Sequence, residues 1–126
     1  MNSRVTDVTT RKGISVAKKI DAIVVLVTCK SKAEARRIAM ALVKKRLAAC
    51  GNIFESPVGS TYRWKEKIER AEEYLLILKS TRSAFPALER EVTRLHSYDV
   101  PEIIALPIAH GSRNYLAWIG ESVRVK

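Results

Sequence analysis

The stretch 50-CGNIFESPVGSTYRW-64 runs almost directly into 67-KIERAEEYLLILK-79, with Lys65 and Glu66 alone between them. Both arms are extended in character. Residues 74–79 (YLLILK) are apolar enough for a core strand, whereas Pro57 and Gly59 punctuate the first arm as a bend or bulge would. Two residues between two extended runs mark a hairpin turn at Lys65-Glu66. Each arm holds about 12–15 residues, well beyond the usual strand of about 5–6. The inner ends can line a sheet of the domain, and the outer ends must overhang it.

The flanks supply the rest of that sheet. Residues 23–28 (IVVLVT) are continuously apolar and β-branched, the pattern of a central strand buried on both faces. Ser31 followed by Glu34 has capping-box spacing. Ala35, Ile38, Ala39, Leu42 and Val43 then recur at helical spacing, which predicts a helix over about 31–47. Lys32, Arg36, Arg37, Lys44 and Lys45 fall mostly off that stripe, as a solvated face or one that meets anions. Beyond the ribbon, Ser83 stands as the cap of a helix over about 84–97. Phe85, Leu88, Val92 and Leu95 face inward there, and Pro86 is tolerated in the first turn. Residues 103–108 (IIALPI) form the last strand, with Pro107 at an edge or bulge. A final helix over about 112–122 turns Leu116, Ile119 and Val123 inward. The order β–α–β–β–α–β plus a helix predicts an α/β (α+β) domain. It is a ferredoxin-like sandwich: a four-stranded antiparallel sheet with two helices on one face, a long protruding hairpin and a C-terminal helix. Many unrelated activities use this fold.

Composition bounds the function. The 126 residues make one domain with 47% hydrophobic content, enough for a core without staples. Two cysteines, Cys29 and Cys50, give no disulfide framework and no CxxC pair, which points to a reducing, cytoplasmic location. No apolar run reaches the roughly 18 residues that cross a bilayer, so no membrane partner is expected. The net charge is +10, of which residues 1–20 carry +4 through Arg4, Arg11, Lys12, Lys18 and Lys19 against Asp7. Those residues read as a basic leader outside a domain of 21–126; they lack the apolar segment of a secretory signal. The charged fraction of 29% and the absence of glutamine lean toward heat-adapted proteins. No GxSxG or GxxxxGK[ST] motif appears, so catalysis has no motif behind it. The inner strands are aliphatic rather than aromatic, which disfavours the nucleic-acid-binding version of the fold. Charge alone would support weak, salt-sensitive binding.

Several segments in order carry a resemblance: Leu47-Ala48-Ala49-Cys50, Asn52-Ile53, Tyr62-Arg63-Trp64, Lys67-Ile68-Glu69, Val100-Pro101-Glu102-Ile103, Leu106-Pro107 and Tyr115-Leu116-Ala117-Trp118-Ile119. Together they resemble the CutA divalent-ion-tolerance family from about residue 22 to 123. The resemblance implies a non-enzymatic homotrimer with a role in metal-ion tolerance. It also implies an assembly like that of the trimeric nitrogen-signalling proteins and copper or another divalent cation as ligand, with no other cofactor required. An overhanging ribbon agrees with the trimer on physical grounds, because exposed edges and apolar residues such as Ile53, Val58 and Tyr62 need cover.

The chain departs from the family pattern in three places. Glu66 stands where the family has glycine at the hairpin tip, which suggests a looser or mildly strained turn. Ser97 stands where the family has proline between His96 and Tyr98, and Leu95 replaces the first residue of a histidine pair. By resemblance the metal ligands are Cys29 and His96; an ordinary buried thiol and a histidine complementing a helix end are the competing readings. The other residues matching family motifs are Cys50, Tyr62, Trp64, Lys67, Lys79, Glu102, Tyr115 and Trp118. They suggest a cleft that grips a small anionic or aromatic ligand between subunits, or else aromatic packing in an interface. The expected partners are thus sister copies and metal ions. A signalling-type module for an anionic metabolite and a basic nucleic-acid binder are the alternatives.

Overall fold

A computed structural model describes residues 21–124. The leader 1–20 and the last two positions of the expected domain lie outside them. The elements are β1 (Ala22–Cys29), α1 (Lys32–Lys44), β2 (Cys50–Ile53), β3 (Val58–Trp64), β4 (Lys67–Thr81), a 3₁₀ turn (Arg82–Ala84), α2 (Phe85–Leu95), β5 (Ile103–Pro107) and α3 (Arg113–Ser122). The sheet runs β2-β4-β1-β5, every pairing is antiparallel, and β3 pairs with the outer part of β4. This is the expected ferredoxin-like order.

Side-chain alternation divides the sheet into two unlike faces. Val25, Val27, Leu76 and Leu78 point toward α1 and α2 and are fully buried with Ile38, Leu42, Leu88 and Val92. Gly51 permits the close approach of α1 to β2: a Cβ there would sit 3.1 Å from Ala39 Cβ. The opposite face carries Val24, Leu26, Leu75 and Ile77, all half-buried, and Ile104 and Leu106, 48% and 50% exposed. β1 is therefore not buried on both faces within one chain. At one end of the sheet α3 packs Ile119 against Ala22, Ala49 and Ala84.

Several boundaries differ from expectation for local reasons. The first arm is two strands, β2 and β3, because after a last bond from Phe54 N–H to Leu75 O residues 55–57 leave the ladder around Pro57. α1 ends at Lys44 rather than 47. Arg46 takes φ 59°, and Arg46 N–H and Leu47 N–H bond back to Val43 O and Leu42 O, closing the helix in a Schellman turn. Val43 falls at that last turn and is 39% exposed. Ser83 does not cap α2. Thr81 Oγ1 accepts the Ala84 N–H at 3.3 Å to start the 3₁₀ turn, and α2 follows with no side-chain cap. α2 also stops at Leu95, since His96 turns extended with ψ 146°. Pro107 lies on edge strand β5, where a missing donor is tolerated.

The hairpin tip is a tight two-residue turn, with Trp64 opposite Lys67 and both Lys65 and Glu66 at positive φ, 50° and 69°. Each non-glycine residue in that region costs about 1 kcal/mol or more. Glu66→Gly is therefore expected to stabilise the fold by about 0.5–1 kcal/mol, after the larger entropy of the unfolded glycine is discounted. A guanidinium midpoint that stays put or falls would show that the turn is not under strain.

Candidate metal centre and adjoining cleft

β1 ends at Cys29, and the chain turns into α1 through Ser31, whose Oγ accepts the Glu34 N–H at 3.1 Å. Glu34 does not point outward as first-turn acids usually do. It is 1% exposed and accepts two backbone N–H groups, Lys30 at 3.1 Å on Oε1 and Ser97 at 2.7 Å on Oε2. One carboxylate thus fastens the start of α1 to the loop after α2.

His96 enters the same space from the other side. Its Nε2 lies 2.8 Å from Thr28 O, and its Nδ1 lies 3.1 Å from the Tyr98 N. A carbonyl accepts and a backbone N–H donates, so the ring is held in the Nε2–H tautomer. The 3.8 Å approach of Nδ1 to Glu34 is accordingly not an ion pair.

Cys29, Glu34 and His96 are all buried, and one ligand atom of each lies within 4.8 Å of the others. This is the one group of three or more His, Cys, Asp or Glu side chains near enough to share an ion among the described residues. Bond lengths of about 2.0–2.3 Å around a tetrahedral ion place ligand atoms about 3.3–3.8 Å apart, so the three need draw in by only about 1 Å. Sulfur, nitrogen and oxygen together suit zinc or copper. Burial, and then the carboxylates of Glu34 and Glu73, push the Cys29 thiol up to about 12, so the sulfur carries its proton until something displaces it.

Beside this cluster, on the face opposite α1 and α2, opens a cleft of about 490 Å³ between the base of the ribbon and the loop before β5. Tyr62, Trp64, Glu73, Tyr98, Asp99 and Glu102 line it. Tyr98 joins cluster and cleft: its N–H holds His96, its ring lies 4.8 Å from the imidazole, and its Oη donates to Glu73 Oε2 at 2.8 Å. Burial, and then the Glu73 bond, push its phenol up.

The structure brings together Cys29 and His96. Within one chain, the residues expected to line a cleft between subunits fall into separate groups. Tyr62, Trp64 and Glu102 line the cleft just described. Cys50, Lys79, Tyr115 and Trp118 gather elsewhere: Cys50 Sγ lies 3.6 Å from Tyr115 Oη and 3.7 Å from Lys79 Nζ, Lys79 bonds Asn52, and the Tyr115 and Trp118 rings are 5.4 Å apart. Lys67 sits beside the hairpin tip, opposite Trp64, and is not among the residues that line this cleft. Glu34, Glu73, Tyr98 and Asp99 were missed. Glu34 carried a signal in its capping-box spacing, five residues after Cys29. Glu73 carried none, since it lies in the acidic run of β4.

The chain is thus a small ferredoxin-like domain with sulfur, nitrogen and oxygen donors collected in its core. The chain belongs to the CutA1 divalent ion tolerance protein family, whose family model matches residues 23–122. It is 52% identical over 99 residues to the divalent-cation tolerance protein CutA of Thermus thermophilus, an alignment covering 79% of this chain and 95% of that one. It is 41% identical to the chloroplastic protein CutA of Arabidopsis thaliana, covering 86% of this chain and 59% of that longer one. Among solved structures, CutA1 from Oryza sativa superposes with a TM-score of 0.82 at 40% identity, covering 87% of this chain and all of that one. Among the described residues, no helix is long and apolar enough to cross a membrane.

Proposed function

We propose that this chain acts in divalent-cation tolerance as a non-enzymatic homotrimer, and that Cys29, His96 and Glu34 hold a copper or zinc ion at modest affinity. The observation that carries the reading is the buried gathering of three different donor types within 4.8 Å. A bound ion would supply positive charge beside a buried carboxylate. Two ligands have something to release first, Cys29 its proton and His96 Nδ1 the Tyr98 N–H, whereas each Glu34 oxygen keeps a lone pair beside the N–H it accepts. Those bonds hold residues 96–98, so occupation of the cluster would loosen the wall of the cleft. The ion state would then be read out as a change in loop order rather than as chemistry.

The trimer is supported by the open sheet face bearing Ile104 and Leu106, and by the ribbon extending past the domain. Both are surfaces that a cyclic assembly covers. The two thiols are unpaired, which suits a cytoplasmic location, and that is part of the proposal.

Calorimetric titration with copper and zinc tests the ion site. Saturable binding of one ion per chain is expected, weakened at least about tenfold in Cys29→Ala and in His96→Ala, as for loss of one ligand of three. Absent binding, or binding unchanged in both variants, counts against it. Solution mass tests the assembly, with three chains per particle expected.

A further inference from the structure

Two successive backbone N–H groups point into the buried cluster. Ser97 N–H donates to Glu34 Oε2 at 2.7 Å, and Tyr98 N–H donates to His96 Nδ1 at 3.1 Å. Their two acceptors approach each other across the cluster, 3.8 Å apart. These are the atoms that an ion shared by Glu34 and His96 would touch. Each has a peptide dipole aimed at it. A buried carboxylate without a partner is costly, and the Ser97 N–H carries the partial positive charge that offsets it.

The Ser97 bond is the stronger of the two, being shorter and made to a charged group. It is not what places Glu34. That side chain starts from the first turn of α1, where its N–H is capped by Ser31 Oγ, and its other oxygen accepts Lys30 N–H at 3.1 Å. The carboxylate is thus fixed from the α1 side, and Ser97 adds compensation of its charge. The Ser97 hydroxyl bonds the same carboxyl. Arg37 also comes within 4.0 Å of Oε2, but its side chain is 56% exposed and water screens its charge.

With Cys29, His96 and Glu34 as the ligands proposed above, we infer that Ser97 limits the affinity of the site, its N–H standing in for the cation on Glu34 Oε2. The oxygen keeps a second lone pair, so an ion enters beside the N–H rather than in its place. The cost is electrostatic. The N–H draws charge from the oxygen that must hold the ion, and its positive end faces the ion. Ser97 acts through Glu34 and touches no ion itself.

Ser97→Pro tests this, because only proline deletes a backbone N–H. The backbone accepts the ring. His96 has φ −77° and ψ 146°, the extended conformation favoured before proline, Ser97 is not among the non-glycine residues with positive φ, and it is exposed. No helix bond is lost, since the closing bond of α2 comes from His96 N–H to Val92 O. The full chain is titrated calorimetrically with zinc and, separately, with copper. Ser97→Pro is expected to bind at least about tenfold more tightly than wild type, the scale on which contacts to a ligand move metal affinity. Ser97→Ala keeps the N–H and should gain less. In a Glu34→Gln background the proline should give no gain, because the gain runs through the carboxylate. A proline that merely disturbed the loop would weaken binding instead.

A second measurement needs no variant. On zinc saturation of the wild type, the Ser97 amide proton resonance should move upfield as its bond weakens. An unmoved resonance overturns the inference. So does equal or weaker binding by Ser97→Pro that is folded by circular dichroism, a gain in Ser97→Ala as large as that of proline, or a gain that persists with Glu34→Gln. Binding that is lost in Cys29→Ala but indifferent to Ser97→Pro removes the role of Ser97 and leaves the ion site standing. Absent binding in both wild type and Ser97→Pro removes the site and that role together.

Discussion

Glu34→Ala is expected to lose about 2–6 kcal/mol of stability, since it strands the N–H groups of Lys30 and Ser97 at about 1–3 kcal/mol each. The loss should appear as a lower guanidinium midpoint with an unchanged slope. Glu34→Gln keeps one acceptor oxygen and turns an NH₂ toward the other donor, so it should fall between alanine and wild type. The pH dependence has a definite sign. Burial pushes the Glu34 carboxyl up, but the hydrogen bonds from Ser97 and Lys30 outweigh it, leaving the group below its ordinary value of 4.5. A group depressed on folding stabilises the protein above its unfolded pKa and ceases to do so as pH falls through its folded pKa. The gap between wild type and Glu34→Ala should therefore be full at neutral pH and close in acid. A gap constant down to the acid limit, or a cost below about 1 kcal/mol, would mean that water replaces the carboxylate at both donors.

A second large effect concerns the assembly. If the proposed trimer forms, Ile104→Glu with Leu106→Glu should reduce it from three chains to one at micromolar concentration while the isolated fold persists. Both side chains leave the buried face untouched, because the core lies on the α1 and α2 side of the sheet. In an assembly that covers this face, each introduced carboxylate would be desolvated near its copies, costing several kcal/mol per chain. Light scattering reads the mass, and circular dichroism reads the fold. An intact trimer carrying both substitutions would place the contacts elsewhere, along the ribbon alone.

Most of the architecture was legible because periodicity carries it. The aliphatic runs 23–28 and 74–79 became neighbouring strands, and the two-residue gap at Lys65-Glu66 fixed the hairpin register. Local competition hid other features. Thr81 and Ser83 both offer a hydroxyl, and which one starts a helix depends on where β4 ends, a matter of pairing with β1. The partition of the cleft residues was partly readable. Lys67 and Lys79 lie on one strand twelve positions apart, about 40 Å at an extended rise, too far for one cleft in one chain. The acidic sign of the cleft was not readable, since Asp99 and Glu102 approach Glu73 only when the loop before β5 folds onto the ribbon.

β4 runs unbroken for 15 residues from the tip of the ribbon into the centre of the sheet, while its partners along one edge are two separate strands. At about 3.3 Å per residue that is a beam of about 50 Å anchored at one end. A load on the free end, from a sister copy or any other body, would bend it where β2 gives way to β3, close to Glu73 and the cleft. The ribbon is thus a cantilever rooted beside the cleft, and any deflection of its free end would be felt there.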